Sequence, residues 1–415
     1  MSLRRSVALS VIWLAFLIAA TAQVRALTPI TSPILPRQTR IGASASDVGF
    51  QGYINVKTYG ATGDGSRDDT SAIAAAFAAA TPGSTVYFPS GTYKVSSGFT
   101  ISVPITIVGD GPAGTYNAAV FGHSSWTSFR EQGAIIETSA TSGAVITYSP
   151  LFSSALNIFH LTIKGLGNFT TTVTGIKATG GLERAVWDDV ALLNLYVGAE
   201  IDGTKPNSNY NTFRLLTFSG DNTALYLNTN VNANTFIQTY IAACNTGVSL
   251  FGVVGNVFLG GAIQGIQSGG WGFDLSSSQE NTIQGMYFEN SSAGSSGGAI
   301  QIRSGFGNTI ASNHYSTSFD NITIGSSNNI IIAPVSSGAT LTFNAGTLRN
   351  LVIGDWGGDY TDNGGNIKTT TQSYGLQLSQ AFNAKSYIVN GITGVTCSGS
   401  PTANFAVTGG IVTHC

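Results

Sequence analysis

Charge is scarce in this chain. Only 9% of its 415 residues are Asp, Glu, Lys or Arg, with 18 basic against 20 acidic side chains and a net charge of −2. Nucleic acid or an anionic membrane would require a concentrated basic field, so neither partner is expected. Four histidines, His123, His160, His314 and His414, are too scattered for an evident metal site. No His-Glu-x-x-His or nucleotide-binding loop occurs, and no Asp ladder on adjacent repeats would hold calcium. No cofactor is expected. Strong helix formers are also few. In their place stand 52 glycines, many Ser, Thr and Asn, and a hydrophobic content of 42%. That composition favours short strands joined by tight turns and excludes a disordered chain.

The first 22 residues put Arg4 and Arg5 before an apolar run that ends at Ala20-Thr21-Ala22, the pattern of a secretory signal peptide. An uncleaved anchor is the competing reading, but the run is shorter than the roughly 20 residues a spanning helix needs. Residues 23–50 read as a linker rich in Pro, Thr and Ser. The expected destination is extracellular or periplasmic. Of the three cysteines, Cys397 and Cys415 would close a short loop in that oxidising setting, and such a staple stabilises by roughly 3 kcal/mol. Cys244 reads as a buried small hydrophobe.

A phrase recurs from Asn211: NTFRLLTF, NTFIQTYI at Asn234, NVFLGGAI at Asn256, NTIQGMYF at Asn281 and NTIASNHY at Asn308, with spacings of 23, 22, 25 and 27. An apolar or aromatic residue stands two and seven places after each Asn. Weaker copies follow at Asn329 and Asn350, and DDVALLNL at Asp188 extends the series backwards. Between copies lie alternating segments such as ALYLN, GVSLF, GFDLS, AIQIR and NITIG, each a half-buried strand. Two short strands per period of about 23, with no helix between, describe a solenoid of β-coils. Propeller blades need roughly 40 residues each, so the period excludes them. The expected fold is all-β: a single-stranded right-handed parallel β-helix over residues 51–355, followed by a looser C-terminal segment, 356–415. The recurring Asn suits a corner because it tolerates left-handed backbone and its amides can stack between coils.

Near the start, GDGSRDDTSAI places three aspartates within six residues. A calcium loop beginning at Asp64 would need Gly at Asp69 and Glu at Ala75, so the metal reading fails. Structurally, Asp69 or Thr70 caps a short helix whose stripe is Ile73, Ala76, Phe77 and Ala80, ended by Pro82-Gly83. This helix is expected to plug the lower end of the solenoid. INVKTYGATGDGSRDDTSAIAAAF, then GSTVYFPSGTYKV, then ITIVGDG, together spanning about residues 52–111, resembles the N-terminal signature of the pectate-lyase superfamily in its rhamnogalacturonase/epimerase-like branch. The resemblance implies a secreted right-handed β-helix that acts on polysaccharide or serves as a tailspike-like carbohydrate-binding shaft, monomeric or homotrimeric. Of the elements of polygalacturonase-like members, only the Asp-Asp pair in Trp187-Asp188-Asp189 is present.

In a β-helix, equivalent positions on neighbouring coils stack about 4.8 Å apart and alternate residues share a face. If position seven points inward, Thr217, Tyr240, Ala262, Tyr287 and His314 form one outward column, and Ser219, Ala242, Gln264, Glu289 and Ser316 form the next. Tyr287, Glu289 and His314 should then cluster, joining an aromatic face for a sugar ring to a carboxylate and an imidazole for acid–base chemistry. The competing reading is plain surface stacking beside a solvated carboxylate. On the other strand Asp274 should lie beside Gln301 with Arg303 diagonal to it, either as a site or as a surface ion pair. Glu280 is expected to reach the same groove. The candidate catalytic residues are therefore Glu289, His314 and Asp274, and the candidate substrate-binding residues Tyr287, Tyr240, Arg303 and Glu280. Asp188 and Asp189, set at the Asn corner, are weaker candidates for an acid pair. The expected activity is cleavage of a pectin-like or other acidic polysaccharide, by hydrolysis ahead of elimination. A non-catalytic shaft is the alternative.

Overall fold

Parallel strands dominate because each coil repeats the inward–outward alternation of the one before it, so the same backbone groups meet on every turn. In this computed structural model, residues 53–111, 133–167, 171–204, 206–289, 296–332, 335–336, 338–354 and 359–369 are described, with short strand pairs beyond. The expected signal peptide, linker and Cys397–Cys415 staple lie outside the described residues. A 20-stranded and an 11-stranded sheet stack as a β-solenoid of about 10 turns. Thr235–Ala242 pairs in parallel with Val257–Gln264, for example, and the coil stacking continues through Thr369, one coil beyond the expected boundary.

The interior files follow the repeat. Trp187, Phe213, Phe236, Phe258, Ile283 and Ile310 occupy one register and are all buried. Phe213, Phe236 and Phe258 stack at centroid distances of 4.5 Å, and Trp187 closes the file edge-on at 5.1 Å. Phe218, Ile241, Ile263, Phe288 and Tyr315 form the companion file seven positions after the Asn.

The Asn residues form a continuous ladder. Asn211, Asn234, Asn256, Asn281, Asn308, Asn329 and Asn350 each donate Nδ2 to the next Asn Oδ1 at 2.8–3.1 Å, and the series ends when Asn366 donates to Asp362. Each Oδ1 also takes a backbone N–H from the coil before, for instance from Asn256 N to Asn281 Oδ1. The left-handed residue is not the Asn but the one preceding it: Tyr210, Ala233, Gly255, Glu280, Gly307, Asn328 and Arg349 have positive φ. Asn is therefore required at the corner for its amide, which satisfies buried polar groups, and not for its backbone freedom.

The backward extension of the repeat is corrected in register. Asp188 pairs with Arg214, not with Asn211, and Ala185 holds the corner, its N–H donating to Asn211 Oδ1 at 2.8 Å. A longer coil of 26 residues at this point makes a count of 23 slide by three.

The helix Thr70–Ala78 buries Ala72, Ile73 and Ala76 and sets Phe77 against Phe88 and Phe99. Asp69 occupies its N-cap position without capping it. The carboxylate turns back instead and accepts hydrogen bonds from Thr62 N, Thr62 Oγ1 and Gly63 N. Asp68 takes the Thr70 N–H. The dense aspartates thus tie down the loop that feeds the helix.

Candidate functional site

Three outward patches gather chemistry. The first is the expected one. On the larger sheet, Thr217, Tyr240, Ala262, Tyr287 and His314 share one column, and Ser219, Ala242, Gln264 and Glu289 the next, but Ser219 and Ala242 are buried and only the Gln264–Glu289 end of the second column is open. The Tyr287 and His314 rings lie parallel, 5.2 Å apart. Glu289 Oε2 accepts from Gln264 Nε2 at 3.0 Å and from the Tyr287 hydroxyl at 3.4 Å, and Gln264 Oε1 accepts from the Tyr240 hydroxyl at 2.8 Å. A fixed polar chain and an aromatic platform therefore lie side by side. In the second column the next carboxylate, Glu137, stands six coils before Glu289.

The second patch sits on a bend of the same sheet. His160, Asp189, Leu215, Gln238, Gly260, Gly285 and Ser312 all have positive φ and mark where the strands turn. Because every coil turns there, the left-handed backbone belongs to the fold and is not local strain at a site. His160 and Asp189 are neighbours in this file, with Nδ1 2.8 Å from Asp189 Oδ2. One residue earlier, Asp188 binds the Arg214 guanidinium through Nη2. All four side chains are partly buried. The Asp189 hydrogen bond raises the His160 pKa above its ordinary value, partial burial opposes it, and Asp188 adds a smaller upward pull. With Nδ1–H committed to a carboxylate, Nε2 is the nitrogen free to exchange a proton with a ligand.

The third patch lies on the smaller sheet. Arg303 donates Nε to Asp274 Oδ1 at 2.7 Å and Nη2 to Oδ2 at 2.9 Å, and Gln301 flanks Asp274 in register. Tyr226, Ser249 and Phe251 line the same groove.

Residues 53–187 match the family described as Rhamnogalacturonase A/epimerase, pectate lyase-like. Over that stretch the chain is similar to a pectate-lyase-like family, and its fold is a parallel β-solenoid. A segment of 82 residues, 18% of the chain, is 46% identical to mannuronan C5-epimerase AlgE3 of Azotobacter vinelandii. Another match, of 46 residues and 11% of the chain, is 61% identical to alginate lyase 7 of the same organism. The chain spans only 4% and 5% of the lengths of these two relatives. Among solved structures, the enzymatically active domain of bacteriophage CBA120 tailspike protein 2 is 16% identical with a TM-score of 0.55, covering 74% of this chain and 51% of that one. DFA-IIIase from Arthrobacter chlorophenolicus A6 in complex with GF2 is 14% identical with a TM-score of 0.51, covering 72% and 93%. At these identities the likeness is one of fold.

Within this β-helix the expected residues do not all converge. Tyr240, Tyr287, Glu289 and His314 meet on the larger sheet, whereas Asp274 and Arg303 stand on the smaller one. Asp274, expected on the other strand beside Gln301 and Arg303, lies with them and apart from Glu289 and His314. Glu280 is the left-handed, exposed residue before the Asn281 corner and does not line the groove of Asp274. Asp188 and Asp189 leave the Asn corner for the bend, where they meet His160 and Arg214, two partners not singled out from sequence. The signal was the length of the coils there: 29 residues separate His160 from Asp189 and 26 separate Asp188 from Arg214.

Among the described residues, no group of three or more His, Cys, Asp or Glu is placed to hold a metal ion. Cys244 is fully buried and burial pushes its thiol well up, which leaves it inert as a nucleophile.

Proposed function

We propose that the protein hydrolyses glycosidic bonds of an extracellular polysaccharide laid along the outward side of the larger sheet. The observation that carries this reading is the pairing of His160 with Asp189 beside Asp188 with Arg214. Five coils from His160, about 24 Å at ~4.8 Å per coil, the Tyr287–His314 platform supplies a place for a sugar ring of the same chain. The relatives named for mannuronan and alginate support carbohydrate as the substrate class.

The roles follow from the partners. His160, held by Asp189, gives the Nε2 proton to the leaving glycosidic oxygen as the anomeric C–O bond breaks. Water bonds to the anomeric carbon, and its proton passes to Asp188, which Arg214 holds in place. Asp189 and Arg214 position and do not react. Elimination from a uronate would require a cation to hold the sugar carboxylate. Here Arg214 already faces Asp188, and two carboxylates offset one guanidinium and one imidazole. This balance supports hydrolysis and offers an acidic sugar no surplus positive charge. Glu289, tied to Gln264 and Tyr287 and several coils from His160, serves binding in this reading and not acid catalysis.

The test is release of reducing ends from a panel of polysaccharides. His160→Ala should lower kcat by about 10²- to 10⁴-fold. Unsaturated uronate among the products would replace hydrolysis with elimination, and undiminished activity in His160→Ala would remove this site. A binding-only shaft is the second reading, favoured by the Ser, Thr and Asn residues that occupy much of the remaining surface.

A further inference from the structure

The groove on the smaller sheet is a different kind of place from the bend. Its volume is about 360 Å³, and it is lined by Tyr226, Ser249, Phe251, Asp274 and Arg303 among others. Tyr226, Ser249 and Asp274 are successive residues of one outward column, so the small Ser249 makes a floor between two taller walls. Phe251 and Ser276 form the neighbouring column. One wall is an aromatic ring, and the other is a planar, doubly hydrogen-bonded ion pair. Phe251, 45% exposed, forms an apolar rim.

These features answer to one ligand chemistry. A pyranose presents an apolar C–H face that stacks on aromatic rings and an equatorial belt of hydroxyls that both donate and accept. Phe251 and Tyr226 offer the first surface. Asp274 and Arg303 offer the second, because after their mutual bonds the carboxylate keeps lone pairs and the guanidinium keeps N–H groups on its outer side. Their charges cancel, so the groove favours hydroxyls over carboxylates. The volume falls at the small end of the range for ligand sites.

We propose that this groove is a second, non-catalytic saccharide site, which holds a neutral stretch of polysaccharide on the sheet that does not carry His160. The proposal is independent of the hydrolytic reading, since it requires binding and no bond cleavage.

Affinity electrophoresis through gels containing a β-1,3-glucan, an α-glucan or a galactomannan, with polygalacturonate and alginate as acidic counterparts, tests it. The full-length protein should be retarded by at least one neutral polymer. Phe251→Ala and Arg303→Ala should each weaken that retardation about tenfold in apparent Kd, and Ser249→Trp, which fills the floor, should abolish it. His160→Ala, silent in the cleavage assay, should be retarded like the wild type. That variant separates the two ideas: loss of cleavage with retained binding leaves the groove standing, and absence of any cleavage in the wild type leaves it equally untouched. Retardation by none of the neutral polymers, retardation only by acidic ones, or unchanged retardation in all three groove variants would overturn the proposal. Phe251 and Arg303 are exposed at the surface, so loss of folding does not confuse the result.

Discussion

The imidazole of His314 is stacked on the phenol ring of Tyr287, with centroids 5.2 Å apart and planes 5° from parallel. Coil stacking imposes this contact, because the two residues are directly paired across parallel strands. The rings form a flat outward surface beside Glu289. Tyr287→Ala should raise the KM for a long polysaccharide about tenfold while kcat changes little, since a stacking partner is lost and not a reacting group. Initial-rate kinetics check this, and an unchanged KM would exclude the platform.

A pH profile should expose the His160–Asp189 pair. The hydrogen bond from Asp189 holds the His160 pKa above the ordinary imidazole value. The imidazolium is therefore present below that raised value and is lost as pH rises through it, so kcat should fall on the alkaline side. Replacing Asp189 by Asn removes the largest upward cause and should move that limb to lower pH. By the same sign, the stability contributed by the pair is complete below the unfolded imidazole pKa and disappears as pH rises through the folded one. An alkaline limb that stays put in Asp189→Asn would argue against His160 as the acid.

Asp221 is buried completely. One oxygen accepts from Leu195 N at 2.7 Å, and Oδ2 has no hydrogen-bond partner. Burial pushes its pKa well above the usual carboxylate range. A group raised in this way favours the folded state most below its unfolded pKa, and the advantage is lost as pH rises through the folded value. Asp221→Asn keeps the shape and the acceptor without the ionisation. It should raise the melting temperature at neutral pH, by a stabilisation of roughly 1–3 kcal/mol, and flatten the pH dependence. Calorimetry across a pH series decides, and a lower melting temperature in the variant would contradict the assignment.

The Asn ladder should be costly to interrupt. Asn281 receives Nδ2 and N–H bonds from Asn256 and donates to Asn308, all within the buried corner. Asn281→Ala leaves those neighbours without partners and should destabilise by about 1–3 kcal/mol per orphaned group. Denaturant unfolding measures it, and a loss below about 0.5 kcal/mol, the range of a surface change, would mean that water replaces the amide.

Sequence alone determined the coil. The period near 23, the apolar residues two and seven places after Asn, and the alternation between them are local properties that every turn repeats, so they specify which residues face inward and which columns face outward. Tyr287, Glu289 and His314 were found together for that reason. Where the coil length changes, counting loses its origin, and only the folded chain decides the partners. The 26- and 29-residue separations around Asp188 and Asp189 moved both aspartates off the corner and onto the bend with His160 and Arg214. Tertiary structure likewise decided that Glu280 stands apart from the Asp274 groove, because a strand's place in the cross-section depends on where the backbone turns, and those turns are set by single left-handed residues of several types, from Gly to Leu, that no shared letter marks.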